Sequence, residues 1–339
     1  MTPRQGKIGV AVVGLGIGEQ HARAYLRTGR CELRWLYDLD LKKARRLTGE
    51  FERGKVAEDY GAILQDPEVQ IVSIASYDDA HFEQVVEALK VGKSVFVEKP
   101  LCCTVEELRI IKRAWAKQHG KAKLYSNLVL RAAPVYRYLK QLIEAGELGK
   151  IYSLDADYLY GRLDKITHGW RKDVVDYSVI LGGGVHLVDL MLWLTGERPV
   201  KVLALGNRIC SQGTDFRYMD NVEAMLQAGN GMIGRITANF GCVHPHQHVI
   251  RVFGTKGTFI YDDQGPRLQM SRDPGSPAKV MGLATLPATK GDLIPNFVKS
   301  VMLDENMEAE TQHEFDVISV CAAITQALMS GEALKVEYV

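Results

Sequence analysis

Charge of one sign is nearly absent as an excess: the formal net charge of the chain is +1. Such a balance gives no broad electrostatic field of the kind that draws a protein onto nucleic acid or anionic lipid, although local basic patches remain open to it. Long apolar runs are missing too. No stretch approaches the roughly 20 residues needed to span a bilayer, and the opening Met1-Thr2-Pro3-Arg4-Gln5-Gly6-Lys7 leads toward a strand rather than a signal peptide's apolar core. The expectation is a cytoplasmic protein with no membrane or nucleic-acid partner. Cysteine is sparse and scattered: Cys31, Cys102, Cys103, Cys210, Cys242 and Cys321 show no Cys-x-x-Cys spacing and no His-rich partner segment. Neither a disulfide framework nor a zinc site is expected, only reduced and mostly buried thiols. Repeats and low-complexity tracts are also lacking.

What is present is an ordinary globular composition, 46% hydrophobic and 24% charged over 339 residues, enough for one large or two ordinary domains. The first 125 residues alternate short β-branched apolar runs with longer amphipathic segments. Strands are expected at 8–13, 32–37, 70–75, 94–97 and 124–129, with helices at 40–53, 81–91 and 105–118. That alternation builds an α/β fold, a doubly wound parallel sheet with helices on both faces. After a helix over 134–145 that stops at Gly146, the style changes. Strands expected at 151–160, 200–209, 222–228, 232–240, 247–253 and 258–261, with hairpin turns at Asn230-Gly231 and Lys256-Gly257, predict a large, mostly antiparallel sheet. Helices are expected at 185–194, 292–302 and 311–329. The Pro, Gly, Ser and Ala-rich stretch 265–288 is the expected mobile loop. The domains are therefore drawn as 1–125 and 126–339.

After the first strand comes Gly14-Leu15-Gly16-Ile17-Gly18-Glu19-Gln20-His21. Small residues there let the backbone turn tightly and approach a pyrophosphate, while the following helix offers N–H donors and the positive end of its dipole. The turn departs from G-x-G-x-x-G, because position 19 is Glu and the third glycine arrives one residue early. Asp38 ends the second strand about twenty residues past the turn, where a carboxylate holds a ribose 2′-hydroxyl and repels a 2′-phosphate. Turn and acid together point to NAD as cofactor. Lys42, Lys43 and Arg45 lie close enough in sequence to keep NADP open, and a helix N-cap is the structural alternative for Asp38, a role that Asp40 can fill instead.

Further motifs carry a resemblance: Asp79-Ala80-His81 at a helix start, Glu98-Lys99-Pro100 after the fourth strand, Gly169-Trp170-Arg171, and Gly182-Gly183-Gly184-Val185-His186-Leu187-Val188-Asp189. With the glycine turn and His21, these make the chain resemble the glucose-fructose oxidoreductase, inositol dehydrogenase and MocA family over nearly its whole length. The resemblance implies an N-terminal Rossmann domain that binds NAD and a C-terminal α/β domain for substrate and oligomerisation. A homo-oligomer, dimer or tetramer, is the corresponding expectation. Lys99 matches the family's active-site lysine and His186 its histidine; either can take or relay the hydroxyl proton while hydride leaves the carbinol carbon. Gly14, Gly16, Ile17, Gly18, Asp38, Ser76, His81, Glu98, Lys99, Trp170 and Arg171 are assigned to the cofactor, with ordinary packing for Trp170 and an ion pair for Arg171 as alternatives. Asp189, one turn after His186, is expected to orient substrate or ring. Many members place an Asp four residues before this His, where this chain has Gly182, so weight shifts to Lys99 as base.

The segments 124–131 and 157–162 resemble the branch that acts on nucleotide-linked amino sugars. That likeness implies oxidation of the 3-hydroxyl of UDP-N-acetylglucosamine, with Arg131 and Arg162 on the diphosphate, Tyr160 on a sugar or base face, and Lys99, His186 and Asp189 also at the substrate. Each of Arg131, Tyr160 and Arg162 can instead brace the two domains. A free cyclitol or aldose such as inositol is the alternative substrate, and a non-catalytic NAD-sensing regulator the alternative function. His244, His246 and His248 alternate along a strand and are read as cleft-edge or interface residues; no metal site is expected.

Overall fold

The computed structural model describes residues 6–339; residues 1–5, part of the lead-in considered above, lie outside the described residues. Contacts divide the chain into two compact units, one made of the described residues through Val129 with Ala288–Phe315 and Val339, the other of Leu130–Pro287 and Asp316–Tyr338. The sequence boundary at 125/126 falls close to the first crossing. The return of 288–315 to the first unit has a packing cause: Phe297 lies 5.5 Å from the Phe96 ring and 6.2 Å from Tyr125.

In the first unit β1 (Ile8–Val13), β2 (Cys31–Tyr37), β3 (Lys55–Val56), β4 (Val69–Ile74), β5 (Ser94–Val97) and β6 (Leu124–Ser126) form a parallel sheet in the order β3-β2-β1-β4-β5-β6. Every residue of β1 and β5 is buried, as central strands covered on both faces require. The helices are α1 (Gly18–Arg27), α2 (Leu41–Phe51), α3 (Tyr60–Gln65), α4 (His81–Lys90) and α5 (Val105–Ala116). The order reverses at β1 and β4, so the ends of those strands form the switch point where ligands of open α/β sheets bind. The expected strand 124–129 stops at Ser126 and passes into a 3₁₀ turn over Val129–Ala132.

The second unit carries α6 (Pro134–Glu144), β7 (Ile151–Leu159), α7 (Asp164–Thr167), α8 (Val185–Thr195), β8 (Pro199–Asn207), β9 (Asn221–Ala228), β10 (Ile233–Asn239), β11 (Gln247–Gly254), β12 (Thr258–Asp262), β13 (Gly265–Gln269), β14 (Lys279–Val280) and β15 (Leu334–Lys335). Of the last two helices, α9 (Ile294–Met302) belongs to the first unit, and α10 (Glu308–Ser330) starts in the first and ends in the second. The nine strands run β14-β13-β12-β11-β7-β10-β9-β8-β15, antiparallel except for the β10–β7 pair. Alternation puts Val202, Ala204, Val222, Ala224 and Leu226 in the core and leaves Leu203, Leu205 and Met225 exposed on the opposite face. The stretch 265–288 is not simply a loop: Pro266 and Leu268 are buried, and β13 pairs with β12 from Thr258↔Gln269 to Asp262↔Gly265. Its turn-rich composition hid a short period-2 pattern, which the Arg267–Asp262 ion pair at 2.7 Å reinforces.

Candidate active site

The glycine turn follows β1. Gly14 has φ +78°, and a side chain there would overlap the Ala75 carbonyl, so only glycine turns the chain at this point. Gly18 opens α1, and a Cβ on it would meet Val12 Cγ1 at 2.9 Å, so its smallness lets helix and strand pack closely. Between them Gly16 meets only the Lys43 ammonium, 3.9 Å from where its Cβ would be, so its backbone faces open space. Ile17, partly exposed, sits at the helix N-cap position and gives no side-chain cap. The shortened turn thus keeps the three functions that glycines serve beside a pyrophosphate: turning, close approach and helix packing.

Asp38 continues from the end of β2. Its Oδ2 accepts from Leu15 N at 2.7 Å and its Oδ1 from Asp40 N at 2.9 Å, with Lys43 Nζ 3.6 Å away. The α2 cap is Asp40, which accepts from Lys42 N at 3.0 Å and Lys43 N at 3.4 Å. Asp38 is therefore held against the glycine turn. Of the three nearby cations, Lys43 is the one shown at the turn. An open glycine backbone with a carboxylate fixed beside it fits a dinucleotide: pyrophosphate on the turn, ribose on Asp38.

Lys99 is half-buried just past β5, and its two neighbours anchor the loop that carries it. Glu98 Oε1 accepts from Asn127 Nδ2 at 2.6 Å and from His21 Nε2 at 3.2 Å, while the Ser73 hydroxyl lies 3.0 Å from His21 Nδ1. Asn127 Nδ2 also donates to Lys290 O at 2.7 Å. Burial pushes the Glu98 carboxyl up, but the hydrogen bonds from His21 and Asn127 and the nearby charges of His21 and Lys99 outweigh it and hold it down at about 2. On the other side His81 donates from Nδ1 to Pro100 O at 2.7 Å, with Nε2 3.3 Å from Ser76 O. His81 is completely buried and ties two loops together. Ser76 donates to Gln84 Oε1 at 2.7 Å. Asn127 and Ser73 were not singled out in the sequence, where nothing marks them beyond ordinary polar residues near strand ends. The Cys102 thiol is pushed well up by burial and the Glu107 charge, so nothing there makes a nucleophile.

In the second unit the triple glycine forms a π-helical turn, Ile180–Gly184, before α8. A side chain at Gly182 would overlap the Tyr177 hydroxyl, and one at Gly183 the Tyr158 ring. The place that many family members give to an aspartate is thus occupied by a phenol. His186, 6% exposed, lies on the first turn of α8. Arg131 Nε donates to both Asp189 oxygens at 3.0 Å, Nη2 donates to Oδ1 as well, and Asp189 is fully buried. Both were expected at the substrate; in the structure the Asp189 carboxylate and the Arg131 guanidinium are paired with each other. Helical spacing placed Asp189 near His186, but α8 is buried on nearly all sides, so a shared face implies no shared solvent cleft.

Several of the remaining candidates lie near Tyr158. Tyr158 and Tyr160, alternate residues where β7 ends, stack at 5.9 Å; His248 on β11 pairs in register with Tyr158. The His248 ring centroid is 5.2 Å from Tyr158, 4.9 Å from His246 and 6.3 Å from His186. Arg162 lies 5.4 Å over the Tyr160 ring, and Arg171 stacks 4.4 Å over Trp170. His244 turns elsewhere, with Nε2 3.2 Å from Asp263 Oδ1. Tyr158 was missed, although Tyr-x-Tyr opposite His-x-His is the period-2 signal that would have found it.

Both parts of the chain match known families. Residues 8–126 match the oxidoreductase family model with an NAD-binding Rossmann fold, and residues 136–260 match the GFO/IDH/MocA C-terminal domain. An inositol 2-dehydrogenase of Saccharopolyspora erythraea is 26% identical over 281 residues, 77% of this chain and 80% of that one. A myo-inositol 2-dehydrogenase structure from Lactobacillus plantarum superposes with TM-score 0.82 at 20% identity, covering 98% of this chain and 100% of the other. A levoglucosan dehydrogenase in complex with NADH and L-sorbose superposes with TM-score 0.85 at 19% identity, covering 98% and 99%. Among the described residues no helix is long and apolar enough to cross a membrane. With both of its domains matched in chain order, the protein belongs to the GFO/IDH/MocA oxidoreductases and binds NAD through its N-terminal Rossmann domain.

Proposed function

We propose that this oxidoreductase oxidises a secondary hydroxyl of a free cyclitol or sugar ring to a ketone, with NAD as hydride acceptor. The observation that carries the reading is Lys99 on a loop braced from both sides, by Glu98 with His21 and Asn127 and by His81 on Pro100, at the carboxyl end of a Rossmann strand. NAD, when bound, supplies the hydride acceptor. Gly14, Gly16, Ile17 and Gly18 would hold its pyrophosphate and Asp38 its ribose, with Trp170 and Arg171 as further candidates. Lys99 and His186 are the acid–base groups we assign to the hydroxyl proton, a role worth roughly 10²–10⁴-fold in rate.

The inositol dehydrogenases among the relatives support a free polyol. So does the Arg131–Asp189 pair, since it withdraws one cation from any diphosphate site. The UDP-N-acetylglucosamine reading keeps one observation in its favour: Arg162 over Tyr160 and Arg171 over Trp170 are guanidinium–aromatic pairs suited to a phosphate and a flat base. The test is NADH formation from a panel of inositols, aldoses and UDP-sugars. Turnover of free polyols supports the first reading, turnover of UDP-sugars alone the second, and none with any of them rejects both. The exposed apolar residues Leu203, Leu205 and Met225 on the second sheet support a homo-oligomer, which sedimentation would measure.

A further inference from the structure

We propose that His248 and His246 form a proton path that connects His186 to solvent. The inference rests on the dehydrogenase reading above. Oxidation of a secondary alcohol breaks one C–H and one O–H bond: the hydride goes to NAD, and the hydroxyl proton must leave the protein. His186 at 6% and His248 at 5% exposure are both buried, whereas His246 is only half-buried, so the series ends toward solvent.

The rings are arranged in that order. His186 and His248 have centroids 6.3 Å apart with planes at 88°, beyond direct hydrogen-bond reach and within that of one bridging water. His248 and His246 are 4.9 Å apart at 66°. An imidazole takes a proton on one ring nitrogen and gives one from the other, so the transfer needs no large motion. As the O–H bond breaks, an N–H bond forms on His186; the His186 ring passes a proton to His248, His248 passes one to His246, and His246 releases one to water. Each ring ends neutral, and ketone reduction runs the same path in reverse.

Packing holds the path in place. Tyr158 contacts both rings, at 5.1 Å from His246 and 5.2 Å from His248, and Tyr160 lies 5.5 Å from His246. The Gly183 position accommodates the Tyr158 ring, so the π-helical turn that presents His186 also admits this wall. The ionisable groups facing the cluster include Tyr158 from β7 and Tyr160 just past its end, His186 from α8, and Arg162 and Arg171, whose charges act on Tyr158. His246 and His248 are positioning residues here, acting through His186.

The experiment measures NAD reduction by wild type, His248→Gln, His248→Phe and His246→Gln in weak and strong imidazole buffer, in H2O and D2O. For both His248 variants the path predicts a fall in kcat of about 10–100-fold in weak buffer, little change in KM, and recovery on adding imidazole. His246→Gln should show a smaller loss that strong buffer removes. The phenylalanine variant keeps the packing, so a fold defect in the glutamine variant does not remove the test. An unchanged kcat in both His248 variants, or a loss that imidazole does not restore and D2O does not deepen, overturns the path. If wild type itself turns over no polyol or UDP-sugar, the dehydrogenase reading falls and the path with it; wild-type turnover with insensitive variants removes the path alone.

Discussion

Asp189→Leu should unfold the second unit at markedly lower denaturant. Asp189 and Arg131 are buried and joined through both Nε and Nη2, so removing the acid leaves a guanidinium in the interior without its carboxylate. Breaking one side of a buried pair costs about 3–5 kcal/mol. At a urea slope of about 2–3 kcal/mol/M that is a midpoint shift of roughly 1–2 M. Two of the four tryptophans, Trp170 and Trp193, lie in the second unit, so fluorescence in a background with Trp35 and Trp115 replaced by Phe reports that unit's transition. Replacing both partners, Arg131→Met with Asp189→Leu, should recover most of the loss, because two apolar side chains need no partners. A shift under about 1 kcal/mol for Asp189→Leu would refute the structural role. So would an Arg131→Met protein of unchanged midpoint that no longer binds a UDP-sugar, since that result would return Arg131 to the ligand.

Asp38→Ala should erode the preference for NAD over NADP by about 10–100-fold, the worth of a charged hydrogen bond to a ribose hydroxyl, read from kcat/KM with each cofactor. Glu98→Gln should be less stable than wild type at neutral pH by on the order of 3 kcal/mol, from a carboxyl held at about 2 instead of 4.5. Because the folded value is depressed, that advantage is complete above about pH 4.5 and fades as pH falls toward 2, so the two urea midpoints should converge there. Gly183→Ala should cost about 1–3 kcal/mol and lower turnover, since the new methyl displaces the Tyr158 ring; unchanged stability and rate would contradict the close approach.

The first sheet was legible because β1 is a continuous apolar run with the glycine turn directly after it, and β5 is apolar after Ser94. Strand β3, two residues long, and the short helix α3 have too few residues to show a period. Strand β13 was hidden by its Gly and Pro content. At the site, Gly14, Gly18 and Asp38 were readable from spacing, and Asp40 resolved the competing role for Asp38 by capping α2. The fates of Asp189, Arg131 and His81 were not readable, since a helical face or a motif match does not say whether a side chain meets solvent or a protein partner. Tyr177 beside Gly182 joins positions whose contact no periodicity encodes. The Tyr158 and His248 pairing was available in principle, from two alternating segments that register brings opposite each other.

The most direct test of the account is the rate of NADH formation by wild type and Lys99→Ala on the best polyol, with NAD affinity measured separately by calorimetry. The account predicts near-unchanged NAD affinity and a turnover lowered by about 10²–10⁴-fold. Undiminished turnover in Lys99→Ala would contradict it.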